Sequence, residues 1–374
     1  MPVLSAILHL RHFLYDHGWK KSFRTELPSI CVGNLNFGGT GKTPFVEMLI
    51  RMLQNGSGSG AARDSEACDV PGTLFSGQKY LAVLSRGYKR GTKGFLEVFP
   101  EGSPFLYGDE PLQIKKKFPD IVVAVDENRV RGCHFLAHPG EAHKFKNRRS
   151  SGAPEPSFKR PDIIILDDAY QHRRIIPTRS ILLTTFDRPY CNDNLAPFGH
   201  LRDLRCRAEA ADMIVVTKCP PFLDEWERGM WARNLDLNMY DTRTCEGLNN
   251  DGKRQKLLFS TISYKDFIPV FPEGDARYMH SKTAVVFSGI ADDSAFNLYL
   301  RGKYKIVAKE SFPDHHCFTD SDASSLHSLA RKFPMAALIT TEKDAQRLRE
   351  AKLTEELRQR LFYAPICFEM LTLN

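Results

Sequence analysis

Nine short runs rich in isoleucine and valine recur along the chain, at residues 29–32, 80–84, 121–125, 163–166, 181–184, 213–217, 284–287, 305–308 and 336–340, mostly separated by stretches with helical spacing. Runs that are apolar at every position, not at alternate ones, suit strands covered on both faces, as in a parallel sheet between helices. The pattern predicts an α/β fold. At 374 residues the chain exceeds one comfortable core and suits two domains. The strand–helix rhythm stops over 241–283, where "KLLFSTISYKDFIPVF" reads as extended. That places a linker between a larger domain over 26–240 and a smaller one over 284–374. Two stretches rich in Gly, Ser, Pro and charge, 55–78 and 138–160, read as mobile surface insertions in the larger domain. The basic cluster Lys144, Lys146, Arg148 and Arg149 in the second reads as a solvated loop.

Nine cysteines, an odd number without a C-x-x-C pair, fit a reducing compartment and argue against a disulfide framework or a structural zinc site. A formal charge of +7 favours anionic partners such as phosphates or acidic lipid without marking a nucleic-acid binder. No run of eighteen apolar residues suggests a spanning helix. Residues 1–25 nonetheless stand out. Val3, Ala6, Ile7, Leu10, Phe13 and Leu14 fall at helical spacing, and Trp19, Lys20, Lys21 and Arg24 follow. Without a charged start or a small-residue cleavage site the segment does not read as a secretory signal. Two readings stay open: an amphipathic helix packed on its own domain, or one lying in a membrane interface.

The stretch "GNLNFGGTGKTPF", 33–45, ends in the Gly-Lys-Thr of a phosphate-binding loop. In such a loop successive backbone N–H groups at a helix N-terminus wrap a phosphate chain, a lysine reaches the outer phosphates and a hydroxyl holds magnesium. Here those duties fall on Gly38, Gly39, Thr40, Gly41, Lys42 and Thr43. An apolar run precedes the loop and a helical pattern with Pro44 in its first turn follows, the strand–loop–helix setting that the motif needs. Asn36 stands where the usual consensus has glycine; asparagine tolerates the left-handed backbone a glycine would supply. Asp167 and Asp168, after the run 163–166, supply carboxylates that can hold Mg2+ opposite Thr43. "VVTKCP" has Pro220 where a guanine-reading motif needs aspartate, and Phe37 occupies the position of the extra lysine of partner-regulating ATPases. Neither class is supported.

Chemistry on a hydroxyl needs a base and cations around the transferred group. "YGDEPLQ" offers Asp109 and Glu110, and "FPDHHCFTDSD" offers Asp314, His315 and His316 ahead of a helix cap at Thr319. The acidic pair serves equally as the first turn of a proline-initiated helix. Adjacent histidines on a strand point to opposite faces and do not make a metal site by themselves. Arg86 in "LSRGY" suits a phosphate contact or a solvated surface position, and Arg202 in "PFGHLRD" a phosphate contact or an ion pair with Asp203.

In order, "VGNLNFGGTGKTP", "LSRGY", "GDEP", "DDAYQHR", "LAPFGHLRD", "FSGI", "FPDHHCFTDSD" and "TTEKDA" resemble the tetraacyldisaccharide 4′-kinase family, the lipid A kinases of Gram-negative bacteria. The motifs extend over nearly the whole chain except the two insertions, and that family's phosphate loop also lacks the first consensus glycine. The resemblance implies ATP-dependent phosphorylation of the 4′-hydroxyl of tetraacyldisaccharide 1-phosphate to give lipid IVA, with Mg2+, at the cytoplasmic face of the inner membrane. It implies a P-loop NTPase-like parallel sheet with helices on both faces, joined by a β-ribbon hinge to a smaller α/β lobe. It gives Asp109 the role of base with His315 as partner, across a cleft that closes on substrates. Gln171, His172, Arg202, Glu110 and Arg86 are expected to line the site, and residues 1–25 to anchor the enzyme on anionic membrane lipid. The chain departs from the common family pattern at Ala169-Tyr170 and at Asp203. The competing reading is a P-loop ATPase that acts as an assembly or delivery switch. A nucleic-acid-dependent ATPase lacks an aromatic and basic stacking platform beside the loop, and no nucleic-acid partner is expected.

Overall fold

Alternate residues of the central strands belong to opposite hydrophobic clusters: Cys31, Ala82, Leu84, Val122, Ala124, Ile164 and Leu166 to one, Ile30, Val32, Leu81, Val83, Val123, Ile163 and Ile165 to the other. This is why the runs are apolar throughout, for each strand buries both of its faces. The computed structural model describes residues 2–55, 78–145, 154–290, 293–313, 316–349 and 351–372. It divides into two units, 1–261 with 368–374, and 262–367.

The larger unit runs α1 (Pro2–Asp16), β1 (Phe23–Arg24), β2 (Ser29–Asn34), α2 (Lys42–Asn55), β3 (Leu81–Ser85), β4 (Leu96–Glu97), α3 (Pro104–Tyr107), α4 (Asp109–Lys117), β5 (Val122–Val125), α5 (Arg129–Ala137), α6 (Pro139–Lys144), β6 (Ile163–Asp167), β7 (Ile175–Ile176), β8 (Arg179–Thr185), β9 (Met213–Thr217), α7 (Glu225–Asn234), β10 (Asn238–Asp241), β11 (Glu246–Leu248) and β12 (Arg254–Tyr264). Its sheet is ordered β10-β11-β12-β9-β8-β2-β6-β3-β5-β4. The strands are parallel from β12 to β5 and antiparallel at both edges. Helix α2 covers one face through Phe45, Val46, Leu49, Ile50 and Leu53, and α5 covers the other through Cys133, Phe135 and Leu136.

The smaller unit contains β13 (Ile268–Pro269), α8 (Arg277–His280), β14 (Thr283–Ser288), α9 (Ser294–Arg301), β15 (Lys305–Ser311), α10 (Asp320–Lys332), β16 (Ala337–Thr341), α11 (Glu342–Leu348), α12 (Glu355–Arg360) and β17 (Leu361–Ala364). Its sheet is ordered β13-β17-β16-β14-β15, with only β13 antiparallel. The chain returns through β18 (Ile366–Met370), which pairs with β12.

Each of the nine apolar runs is a strand, but two expectations about the stretches between them need correction. Residues 241–261, read as linker, belong to the larger unit, where β11 and β12 extend its sheet. The edge strand β10 is largely exposed and β11 beside it is three residues long, so neither carries an apolar run. The second insertion is not loop throughout: α6 buries Ala142, and Phe158 is packed in the core beside Phe95. The Ser157 N–H donates to Glu97 Oε2 at 2.6 Å, which fixes the return of the segment. The first insertion, but for its ends, and Lys146, Arg148 and Arg149 lie outside the described residues.

Candidate active site

Strand β2 is buried along its whole length and delivers the chain to the phosphate loop at its carboxyl end. The left-handed positions the loop requires fall on Gly38 (φ 99°) and Gly41 (φ 81°), where a side chain is strained. Asn36 is not left-handed, contrary to expectation. It is buried, and its side-chain Nδ2 donates to Asp193 Oδ2 at 3.0 Å, so asparagine serves as an anchor for the loop and not as a substitute glycine. Phe37 N–H donates to His200 O at 2.6 Å, and Thr217 Oγ1 at the end of β9 donates to Thr40 O at 2.9 Å. The loop is held from three sides before any ligand arrives, while Gly38 and Gly39 remain exposed.

Adjacent and parallel to β2, strand β6 sets Asp167 opposite Val32. The chain leaves it through Asp168, itself left-handed at φ 48°. Lys42 Nζ lies 3.3 Å from Asn34 Oδ1 and 3.7 Å from Asp168 Oδ1. Arg202 grips Asp168 with both terminal nitrogens, Nη1 donating to Oδ2 at 3.0 Å and Nη2 to Oδ1, and Nη2 also donates to Asn34 Oδ1. The alternative ion pair of Arg202 with Asp203 does not form; Asp203 is paired with His12 Nε2 at 2.6 Å. Gln171 donates through Nε2 to Asn34 O. Thus Asn34, Lys42, Asp168, Gln171 and Arg202 form one network at the carboxyl ends of β2 and β6, where open parallel sheets bind ligands.

The two aspartates differ electrostatically. Burial pushes the Asp167 carboxyl up to about 7, reinforced by Glu110 and Asp168 and opposed by Lys42 and Arg129. Burial also works to raise Asp168, but the Arg202 hydrogen bond and the Lys42 charge outweigh it and hold that carboxyl below the usual range. A buried carboxylate that is costly to ionise is a good seat for a divalent cation, which removes that cost. Among the described residues Arg202 Nε is buried without a hydrogen-bond partner, a donor left over for an anionic ligand. His172 is pushed down to about 4 by burial and by the charges of Arg129, Arg11, Arg86 and Arg174, so it is a neutral imidazole near pH 7. Arg86, past the end of β3, is exposed.

Asp109 and Glu110 open α4, half-buried. The preceding Gly108 (φ 89°) runs against the Arg86-Gly87-Tyr88 turn: a Cβ on Gly108 meets Tyr88 O at 3.0 Å, and one on Gly87 meets Tyr107 O at 2.8 Å. The "SRGY" and "YGDE" motifs therefore pack backbone against backbone, and both glycines are needed for the approach. Glu110 is near enough to Asp167 to raise its carboxyl. In the smaller unit Asp314 and His315 lie outside the described residues. His316 Nε2 is bonded to Asp322 Oδ2 at 2.9 Å and its ring stacks on Phe312. Asp322 completes the capping box of α10 with Thr319.

Two participants escaped the sequence reading. Asn34 precedes the loop in "GNLN" and is identifiable only by what it bonds, Lys42 and Thr40. Arg129, fully buried, donates to Asp126 O at 2.5 Å and Asp167 O at 3.3 Å beneath the aspartates. No pattern in "ENRVRG" marks it as an interior cation.

The family model described as Tetraacyldisaccharide-1-P 4′-kinase matches residues 2–60 and 73–373. A tetraacyldisaccharide 4′-kinase of Flavobacterium johnsoniae is 35% identical over 96% of this chain and 88% of its own. One of Porphyromonas gingivalis is 33% identical over the same shares. Among solved structures, LpxK from Aquifex aeolicus in complex with ATP shares the fold with a TM-score of 0.64 at 24% identity, over 99% of this chain and 92% of that one.

Proposed function

This chain belongs to the tetraacyldisaccharide-1-P 4′-kinase family and is an ATP-dependent lipid kinase of lipid A biosynthesis, and we propose that the strand ends of its larger unit hold the nucleotide while Asp109 deprotonates the acceptor. The substrate is tetraacyldisaccharide 1-phosphate and the product its 4′-phosphate, lipid IVA. The observation that carries the residue assignment is the meeting of Lys42, Asp168 and Arg202 around Asn34.

Lys42, parked on Asn34 and Asp168, is within reach of the outer phosphates of ATP cradled by Gly38 to Thr43. Thr43, Asp167 and Asp168 are the residues that would hold Mg2+, and the ionisation cost of buried Asp167 fits that role. When bound, the ion would neutralise charge on the β- and γ-phosphates. Arg202 supplies positive charge at the transferred group and fixes Asp168. Asp109 accepts the proton of the 4′-hydroxyl as its oxygen forms the new bond to phosphorus, and the bond from phosphorus to the bridging oxygen breaks to release ADP. The family resemblance gives His315 the role of aiding Asp109 as base. Neutral His172 and Gln171 line the site without adding charge.

The route to the bilayer is α1. Leu8 and His12 face the domain, with His12 held by Asp203 and Arg11 donating to Gln171 O at 2.6 Å. Ile7, Leu10 and Phe13 are turned to solvent, and Trp19 follows them, 75% exposed. A helix docked by polar contacts that leaves its apolar side outside is suited to a membrane interface, with Lys20, Lys21 and Arg24 beside anionic headgroups. Among the described residues no helix is long and apolar enough to cross a membrane. The contact between Arg11 and Gln171 sets the helix beside the catalytic network, and the association is peripheral, on the cytoplasmic leaflet of the inner membrane.

Transfer of labelled γ-phosphate from Mg-ATP to the lipid in detergent micelles tests the assignment. Asp109→Ala should lower kcat by about a hundredfold or more with little change in the apparent affinity for ATP. A variant with near-normal kcat would remove Asp109 from the base role.

A further inference from the structure

His134 lies in the last turn of α5 and His138 is the C-cap that follows it, and the two imidazoles face each other. Their ring centroids are 4.6 Å apart. Both reach the same carboxylate, Glu26, on the segment leading into β2: His134 Nδ1 lies 3.2 Å from Oε1 and His138 Nε2 lies 2.7 Å from Oε2. One ligand atom from each of the three residues lies within 4.8 Å of the others. Ligands about 2.1 Å from a zinc ion stand about 3.4 Å apart at tetrahedral angles, so little movement is needed to admit one. The remaining nitrogen of His134, Nε2, is bonded to Glu141 Oε2 on α6 at 2.9 Å. A carboxylate behind a ligating imidazole is the usual outer-shell support of a metal site.

We propose that Glu26, His134 and His138 bind a divalent cation of the zinc class, with Glu141 orienting His134. Two imidazoles and one carboxylate favour Zn2+, Co2+ or Ni2+ over Mg2+, whose preference is for oxygen. The histidine side chains are 42% and 43% exposed, so water completes the coordination and the ion enters freely. The bound ion joins the segment that leads into β2 to the end of α5. Binding displaces the proton from any charged imidazole and makes no other covalent change.

The test is titration of untagged, chelator-stripped, reduced full-length protein with Co2+ in excess Mg2+, followed by visible absorption and competition with Zn2+. The expected result is saturable binding of one Co2+ at this site, with d–d bands, no thiolate charge-transfer band and displacement by Zn2+. His134→Gln with His138→Gln should weaken binding about a hundredfold, and Glu26→Gln should weaken it too, with kcat for lipid phosphorylation unchanged. Absence of saturable binding, a thiolate band, or affinity that survives loss of both histidines overturns the proposal. The wild-type spectrum decides the ligand type even if a variant folds poorly.

Discussion

Replacing Ile7 and Leu10 by serine should detach the protein from membranes without unfolding it. The two side chains are 56% and 59% exposed, so more than half of the apolar surface of each is available to lipid. Full burial of such a side chain is worth about 1.5–3 kcal/mol, so the exposed part contributes about 1 kcal/mol each and the pair about 2 kcal/mol. Since 1.4 kcal/mol is a factor of ten, binding to vesicles should weaken roughly thirtyfold. Serine adds little cost in the folded protein, because neither side chain is in its core, and stability should stay within about 0.5 kcal/mol of wild type. Leu8, on the opposite side of α1 and 6% exposed, is the internal control. Leu8→Ser should destabilise by about 2 kcal/mol or more. Sedimentation with anionic vesicles and thermal melts read the two effects separately. Vesicle binding that survives the double substitution, or a large loss of stability from it, would refute the orientation of the helix.

Lys42→Ala should reduce nucleotide affinity and lower lipid phosphorylation by about a hundredfold or more, read by ATP titration and steady-state kinetics. Arg202→Ala frees Asp168 and removes a cation from the phosphoryl site, so kcat should fall at least about tenfold while KM for the lipid changes little; Arg202→Lys should restore only part, because one ammonium cannot replace the two-point grip. Gly108→Ala strains a left-handed residue and pushes a Cβ onto Tyr88 O, so kcat should drop with a stability loss of about 1–3 kcal/mol in a urea titration. The His172 imidazole is held down to about 4 from 6.5. The unfolded chain therefore takes up that proton first, and stability falls as pH drops from about 6.5 towards about 4. His172→Gln should remove about 1–2 kcal/mol of that acid-side loss, after allowance for the partial exposure of the ring; equal slopes in the two proteins would count against a buried neutral histidine.

Much of the architecture can be read before folding, because a strand covered on both faces is buried at every position, as β2, β3, β5, β6 and β9 are, and is therefore apolar except towards its ends. The phosphate loop and the Asp167-Asp168 pair are local in sequence and so equally visible. The edge strand β10, largely exposed, and the three-residue β11 beside it are not, since neither has a uniform apolar pattern. Periodicity identified α1 as amphipathic but could not say which face the domain takes. Its buried side is chosen by His12 meeting Asp203, 191 positions away. The same holds for the anchoring of Asn36 by Asp193 and for the meeting of Gly87 with Tyr107 O. Such contacts join residues distant along the chain, and neither spacing nor composition encodes the partner.

The fate of the γ-phosphate separates a lipid kinase from an assembly switch. The most direct measurement is the ratio of ADP formed to labelled lipid formed when Mg-ATP and tetraacyldisaccharide 1-phosphate are both supplied, with the position of the new phosphate read by NMR. A kinase built around this site gives about one phosphorylated lipid for each ADP, carrying the label on the 4′-oxygen. ADP released without labelled lipid, together with nucleotide-dependent association of the protein with itself or a partner, would mean that the same loop serves an assembly switch.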